Sequence, residues 1–244
     1  MPRSLDRIIA LSLSALSALS FSGLAGCTSQ ADGNYHGQAL ATLSGTLHST
    51  RSKALEHPQV ALVWAEQRMM HEMVGAEKVD AEGLFPQFKL TVYNPPPDEI
   101  YDEFDGERYT VGLVAVGTPT SDYTQPTQWY GVDFDRVVVY LPEATKVGGV
   151  VEAFLHGPQT AGFHVFTVKR LTEQERQAVL DCINALPGVP GPGGSLPYRE
   201  VFEKCGGDSN DELHPVSTDL ETPFDLTIVD DQDILTIVNH LPHW

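Results

Sequence analysis

Soft donor atoms are concentrated in the sequence Met-Met-His-Glu-Met at positions 69–73, which holds three of the four methionines of the chain. Thioether and imidazole groups suit Cu(I) outside the cytoplasm. The candidate copper ligands are therefore Met69, Met70, His71 and Met73. We predict a helix over Ala65–Ala76, on which Met69 and Met73 share a face and His71 points away. The sequence favours a simpler interpretation, in which these methionines fill a gap in the apolar core.

Hard oxygen donors are concentrated in the segment Asp98–Glu107, which has six carboxylates in ten residues. Carboxylate oxygens suit Ca²⁺, which extracellular modules often bind weakly. The candidate ligands are Asp98, Asp102 and Asp105. The sequence favours instead a solvent-exposed loop that charge repulsion keeps extended. A second acidic run, Asp208–Glu212, spaces its oxygens like a calcium loop, but Leu213 stands where an EF-hand requires glycine.

Motifs for catalysis are missing from the sequence. His71 and Glu72 begin the His-Glu-x-x-His pattern of zinc proteases, but Gly75 stands in place of the second histidine. The chain has no Gly-x-Ser-x-Gly, no phosphate-binding loop and no dinucleotide fingerprint. We name no catalytic residue and expect no cofactor, apart from weakly bound calcium or copper. A hydrolase remains an alternative, because the members of a catalytic triad converge only in space.

Composition limits the class of protein. The chain has 244 residues, with 15 Lys and Arg against 33 Asp and Glu, and its formal net charge is −18. A nucleic-acid partner is not expected, because such binding requires a basic face that neutralises phosphates. The hydrophobic fraction of 41% is sufficient for a packed core. The length suits a single domain with an appendage.

The beginning of the chain has the pattern of an export signal. Arg3 and Arg7 precede an apolar stretch, Ile8–Ser22, which the small residues of Leu24-Ala25-Gly26-Cys27 follow. A cationic start, an apolar stretch and a small-residue cleavage site are typical of secretory signals. The apolar stretch is shorter than the 20 or so residues that a membrane-spanning helix needs.

Leu-Ala-Gly-Cys resembles the lipobox of bacterial lipoproteins. The resemblance implies cleavage before Cys27, a diacylglyceryl group on its sulfur and a fatty acyl chain, such as palmitate, on the new amine. Residues 1–26 would then be the signal peptide, and residues 27–36 a polar tether. In enteric bacteria, lipoproteins that are retained at the inner membrane have Asp directly after the lipidated cysteine. Thr28 stands at this position and therefore favours the outer membrane. The alternatives are secretion with a free Cys27 and an uncleaved anchor.

Two cysteines remain once Cys27 is lipidated, and we predict that Cys182 and Cys205 form a disulfide. Exported proteins fold in an oxidising compartment, where two leftover cysteines usually pair. The enclosed segment, Ile183–Lys204, is rich in proline and glycine. A redox pair or two metal thiolates are the alternatives, although there is no Cys-x-x-Cys and the spacing fits no zinc pattern.

The mature chain is mainly β by pattern. Eight apolar or alternating runs, separated by turn residues, predict strands at 37–48, 59–65, 88–92, 109–117, 136–141, 163–170, 224–229 and 234–238. Thr172 and Glu175 form a capping box that begins a helix over Thr172–Leu186. We therefore predict a single domain over 37–244, a β-sandwich or small barrel with one or two short helices. The helix and the disulfide-bonded loop occupy 172–205.

Two further resemblances agree with this fold. The Val-Ala-Leu-Val-Trp strand is similar to strands of transthyretin-like accessory domains of secreted bacterial proteins. The stretch Phe85–Pro97 resembles a Phe-Pro-x-Phe-x-Leu-x-x-Tyr-x-Pro-Pro-Pro stretch of uncharacterised envelope lipoproteins. Together with the lipobox, they imply a lipid-anchored protein of the cell envelope, a non-catalytic binding or structural module for an envelope protein or glycan. A periplasmic metal-binding protein is the alternative.

Overall fold

The computed structural model describes residues 37–65, 73–80, 87–188, 198–207, 211–216 and 223–230. The chain divides into two units, Met1–Gly37 and Gln38–Trp244. All elements given below belong to the second unit. Its strands are β1 (Ala41–Ser49), β2 (Gln59–Ala65), β3 (Met73–Asp80), β4 (Gln87–Val92), β5 (Asp102–Phe104), β6 (Glu107–Gly117), β7 (Gly131–Val132), β8 (Arg136–Leu141), β9 (Gly162–Lys169), β10 (Glu212–Pro215) and β11 (Phe224–Ile228).

The described strands form two sheets. The smaller has the order β11-β1-β4, in which β1 is parallel to β11 and antiparallel to β4. The larger has the order β10-β9-β8-β6-β2-β3, and β5 and β7 each pair with β6. The domain is a mainly β sandwich, as predicted, and its described strands form no closed barrel. Seven predicted strands are confirmed, whereas the one at 234–238 lies outside the described residues.

Two apolar cores lie on opposite faces of the larger sheet, because successive side chains of a strand point to opposite faces. In β2, Val60, Leu62 and Trp64 belong to the core shared with the smaller sheet. The alternate residues Ala61, Val63 and Ala65 belong to the other core. Central strands of the larger sheet are therefore buried on both faces, and the sheet is the middle layer of the domain.

The helix predicted over Ala65–Ala76 is wrong where the structure describes it. Ala65 ends β2, and the chain resumes at Met73 as β3, antiparallel to β2 with Ala65 opposite Met73. Residues 66–72 lie outside the described part of the chain. Methionine, alanine and glutamate favour helices locally. Pairing with the exposed edge of β2 outweighs that preference, since strand formation depends on context.

Three described helices, rather than one or two, accompany the sheets: α1 (Val150–Phe154), α2 (Glu173–Ala185) and α3 (Tyr198–Cys205). The predicted capping box of α2 is confirmed: Thr172 Oγ1 accepts from the Glu175 amide at 3.3 Å, and the Glu175 carboxylate accepts from the Thr172 amide at 2.8 Å. No described helix is long and apolar enough to cross a membrane.

The predicted disulfide is confirmed, because Cys182 and Cys205 are bonded with their Cα atoms 5.7 Å apart. It joins α2 to the last residue of α3, rather than to the proline- and glycine-rich segment between them. No residue of α2 is fully buried, and Leu180 is 41% exposed. The disulfide therefore fastens a helix that apolar burial alone holds weakly.

Candidate metal-binding site

Two histidines and a glutamate lie close together at the β10 edge of the larger sheet. The ligand atoms of His156, Glu212 and His214 all lie within 4.8 Å of one another, and no other such group of three is found among the described residues. Glu212 and His214 are two positions apart on β10, so their side chains share a face. His156 reaches them from the end of α1. We call these three residues the His-Glu-His cluster.

A sharp change of chain direction brings His156 to the cluster. His156 has φ +54°, in the left-handed region that few residues other than glycine adopt. Gly157 follows with φ +145°, which an L side chain rarely adopts. The chain leaves α1 through this pair, and the imidazole is placed beside β10.

The contacts inside the cluster are close. His214 Nε2 lies 3.1 Å from Glu212 Oε2. The rings of His156 and His214 stack, with centroids 4.4 Å apart and planes inclined by 13°. Across the strand pair, Lys169 of β9 is opposite Glu212, and its Nζ lies 3.6 Å from Glu212 Oε2. The carboxylate therefore stands between an imidazole and an ammonium group.

Burial lowers the pKa of His156, and the adjacent His214 lowers it further. Glu212 acts in the opposite direction and raises this pKa, while Lys169 lowers it. Burial has the largest effect, because it disfavours the charged imidazolium. Burial therefore favours the neutral imidazole of His156 over the charged form.

The cluster lies between a partly buried ion pair on one side and a cavity on the other. Asp211, which precedes β10, is buried, and its Oδ1 accepts from the Leu171 amide at 3.1 Å and pairs with Arg176 of α2. On the other side, His156 lines a cavity of about 230 Å³. The wall of that cavity includes Glu152 of α1 and Glu203 of α3.

The acidic segment Asp98–Glu107 is a short 3-10 turn followed by the β5–β6 hairpin, and not an extended exposed loop. Asp102 is only 6% exposed and Glu107 is also buried, although Asp98 and Asp105 are exposed. Within the described residues, Asp98, Asp102 and Asp105 do not form a group of three ligand atoms close enough for one ion.

Arg108 organises the exposed end of this hairpin. Its guanidinium lies 3.3 Å from Asp98 Oδ1 and 4.4 Å from the centre of the Tyr101 ring. The pKa of Tyr101 is raised to about 12, mainly by burial and in addition by the nearby Tyr140 and Asp98, against the opposing effect of Arg108. Asp98, which lies in the 3-10 turn before the hairpin, is thus paired with the Arg108 cation.

The other predicted site residues fall largely outside the described part of the chain. Cys27, Met69, Met70 and His71 belong to residues that the structure does not describe, and only the position of Met73, at the beginning of β3, is given. No sequence motif predicted the His-Glu-His cluster. Its one local signal is the Glu-x-His alternation of β10, which places two donors on one face of a strand.

Comparisons with known proteins found no match: no family model, no curated protein and no solved structure matches the chain.

Proposed function

We propose that the protein is a lipid-anchored component of the bacterial cell envelope, whose β-sandwich is a non-catalytic binding or structural module. The acylated Cys27 holds the chain at the membrane, the outer one in preference to the inner. Residues 28–36 are the tether. The domain binds an envelope protein or glycan, and not a nucleic acid, because its net charge is −18.

The observation that carries the export step is the Cys182–Cys205 disulfide. Disulfides persist in oxidising compartments such as the periplasm and are rare in the cytosol, where thiols are kept reduced. The bridge closes a segment between two helices and belongs to no Cys-x-x-Cys motif, as a structural disulfide would. It therefore favours a protein that folds outside the cytoplasm.

The lipobox-like sequence supports the proposed lipid anchor. Leu24-Ala25-Gly26-Cys27 ends an apolar stretch with two arginines before it, which is the order that lipoprotein signals require. Two or three acyl chains on Cys27 would anchor the protein stably, since each buried CH₂ contributes about 0.8 kcal/mol. No spanning helix is needed for such an anchor.

Substitution of Cys27→Ser tests the proposal. The unsubstituted chain is expected in the membrane fraction, cleaved before Cys27 and heavier than the unmodified peptide by the mass of the diacylglyceryl group and the N-linked acyl chain. Cys27→Ser is expected either to leave the membrane fraction or to accumulate uncleaved. The control is the double variant Cys182→Ser with Cys205→Ser, which lacks the two other cysteines and should still be lipidated on Cys27. A processed Cys27→Ser protein that remains at the membrane with unchanged mass would contradict the proposal.

A further inference from the structure

We propose that His156, Glu212 and His214 bind one Zn²⁺ ion. Two imidazole nitrogens and one carboxylate oxygen are a donor set that protein zinc sites use, and with three protein ligands the fourth position stays open to water. None of the three ligands belongs to the methionine segment 69–73 or to the acidic segment Asp98–Glu107. The site is also independent of the lipid anchor, so either proposal can fail alone.

The donor atoms lie near the separations that a tetrahedral zinc site requires. Zinc bonds to nitrogen and oxygen are about 2.1 Å long, so donor atoms in a tetrahedral site are about 3.4 Å apart. His214 Nε2 and Glu212 Oε2 are 3.1 Å apart, and the three donor atoms all lie within 4.8 Å of one another. The hydrogen bond between them is replaced by two bonds to the metal.

One ring has to turn. The stacked imidazoles of His156 and His214 are inclined by only 13°, so their in-plane lone pairs run nearly parallel and do not converge. A rotation of the His156 side chain directs its nitrogen toward Glu212 and His214. A cavity of about 230 Å³, whose lining includes neither Glu212 nor His214, lies against His156 and gives its ring space to move.

Lys169 is the competing cation, because its Nζ lies 3.6 Å from Glu212 Oε2. It also lies 3.8 Å from Glu175 Oε1, and its side chain is 49% exposed. Lys169 can therefore keep a carboxylate partner at α2 when zinc takes its place at Glu212. The binding of zinc exchanges one ion pair for two metal–nitrogen bonds and one metal–oxygen bond.

The chain contains a natural control for this site. His48 Nε2 lies 3.0 Å from Asp225 Oδ1, which reproduces the histidine–carboxylate pair of the cluster on the smaller sheet. His48 belongs to no group of three ligands among the described residues. A two-donor surface pair of this kind binds zinc weakly, so its removal separates the cluster from general histidine effects.

The experiment is a zinc titration of the full chain, purified in detergent without a histidine tag, in competition with a chromophoric chelator of known zinc affinity. We expect one tight equivalent of Zn²⁺. His156→Gln, Glu212→Gln and His214→Gln should each weaken zinc binding more than tenfold, because even the loss of a residue that only hydrogen-bonds to a zinc ligand costs about tenfold in affinity. His48→Gln should leave the affinity unchanged. Cobalt loaded at the same site should give the intense visible absorption of tetrahedral coordination.

Three results would overturn the proposal. The first is no saturable zinc binding by the unsubstituted chain. The second is unchanged affinity in His156→Gln and His214→Gln. The third is loss of the tight equivalent in His71→Gln, which would assign the metal to the methionine segment. Circular dichroism checks each variant, and if one does not fold, the remaining two cluster variants decide.

Discussion

At the scale of single residues, Glu107 is a buried carboxylate that holds two segments together. Its Oε1 accepts from the Lys146 amide at 2.7 Å, and its Oε2 accepts from the Val151 amide at 3.3 Å, at the beginning of α1. A Cβ on Gly149 would lie 2.3 Å from the same carboxylate, so only glycine leaves room for it. α1, which ends beside His156, is positioned by this charge.

We expect Glu107→Gln to lower the free energy of unfolding by about 1–3 kcal/mol, because the amide leaves a buried backbone donor without its acceptor. Urea denaturation of both proteins measures the difference. Glu143→Gln is the matched control, since Glu143 is an exposed residue of the same neighbourhood. Equal losses in the two variants would show that the carboxylate of Glu107 has no special role.

Asp133 gives a pH-dependent prediction. Burial raises the pKa of its carboxyl, although Arg136 and the backbone amides of Asp135 and Arg136 oppose the shift. Between the ordinary pKa, about 4, and the raised one, the folded state holds more protons than the unfolded state. The contribution of Asp133 to stability is therefore most favourable at low pH and declines as the pH rises through this window.

Asp133→Asn should remove this decline, because the amide oxygen can still accept from the amides at 2.9 and 3.0 Å but carries no charge. We expect the stability of the variant, relative to the original protein, to improve from about pH 4 to neutral pH. Asp135→Asn changes an exposed neighbour and serves as control. Parallel pH profiles for Asp133→Asn and the original protein in urea denaturation would refute this account.

At the scale of elements, Gly45 sets how closely the strands of the smaller sheet approach. A Cβ at this position would lie 2.3 Å from the Phe224 carbonyl oxygen and 2.7 Å from the Phe88 ring. We expect Gly45→Ala to lower the free energy of unfolding by about 1–3 kcal/mol through overpacking. Ser44→Ala, a half-buried neighbour, is the control in thermal and urea unfolding. If Gly45→Ala were as stable as the control variant, the strands could move apart to fit the added methyl group without any loss in the free energy of unfolding.

The disulfide between α2 and α3 gives a second prediction at this scale. Replacing Cys182 and Cys205 together by serine should lower the free energy of unfolding by about 2–4 kcal/mol, because the closed segment has about 22 residues. Urea denaturation without reductant measures the change. Cys27→Ser, which leaves the bridge intact, should show no loss. An unchanged stability after removal of the bridge would mean that α2 unfolds separately from the sheets.

Sequence patterns predicted strands well where the sheet imposes a clear period. The runs at 59–65 and 136–141 coincide with β2 and β8, since their apolar residues fill both cores. β3 was missed, because Met73–Asp80 has no alternation and is a strand only by pairing with β2. The His-Glu-His cluster was missed for a related reason. His156 joins β10 through the fold, and no sequence pattern reports that contact.

At the scale of the whole molecule, all described elements lie between Gln38 and Trp244. We expect residues 38–244, expressed alone in an oxidising compartment, to fold without the first unit and to remain in solution without detergent. Its urea midpoint should match that of the detergent-purified, lipidated protein within error, and unreduced mass spectrometry should find the disulfide. Aggregation of this fragment, with the lipidated protein folded, would show that residues 27–37 belong to the folding unit.

The parallel pairing of β1 with β11 has a consequence for the order in which the chain assembles. Gly45 is opposite Phe224, and Ser49 is opposite Ile228, so the first described strand finds one neighbour only near the other end of the sequence. A chain that emerges amino terminus first, from a ribosome or through a translocation channel, can pair β1 with β4 early. The smaller sheet, however, cannot be completed until β11 has emerged. Closing so long a loop is entropically costly and slow. Most of the polypeptide therefore emerges before the smaller sheet can form. We expect the chain to remain incompletely folded until then, which is the state that passage through a narrow translocation channel requires.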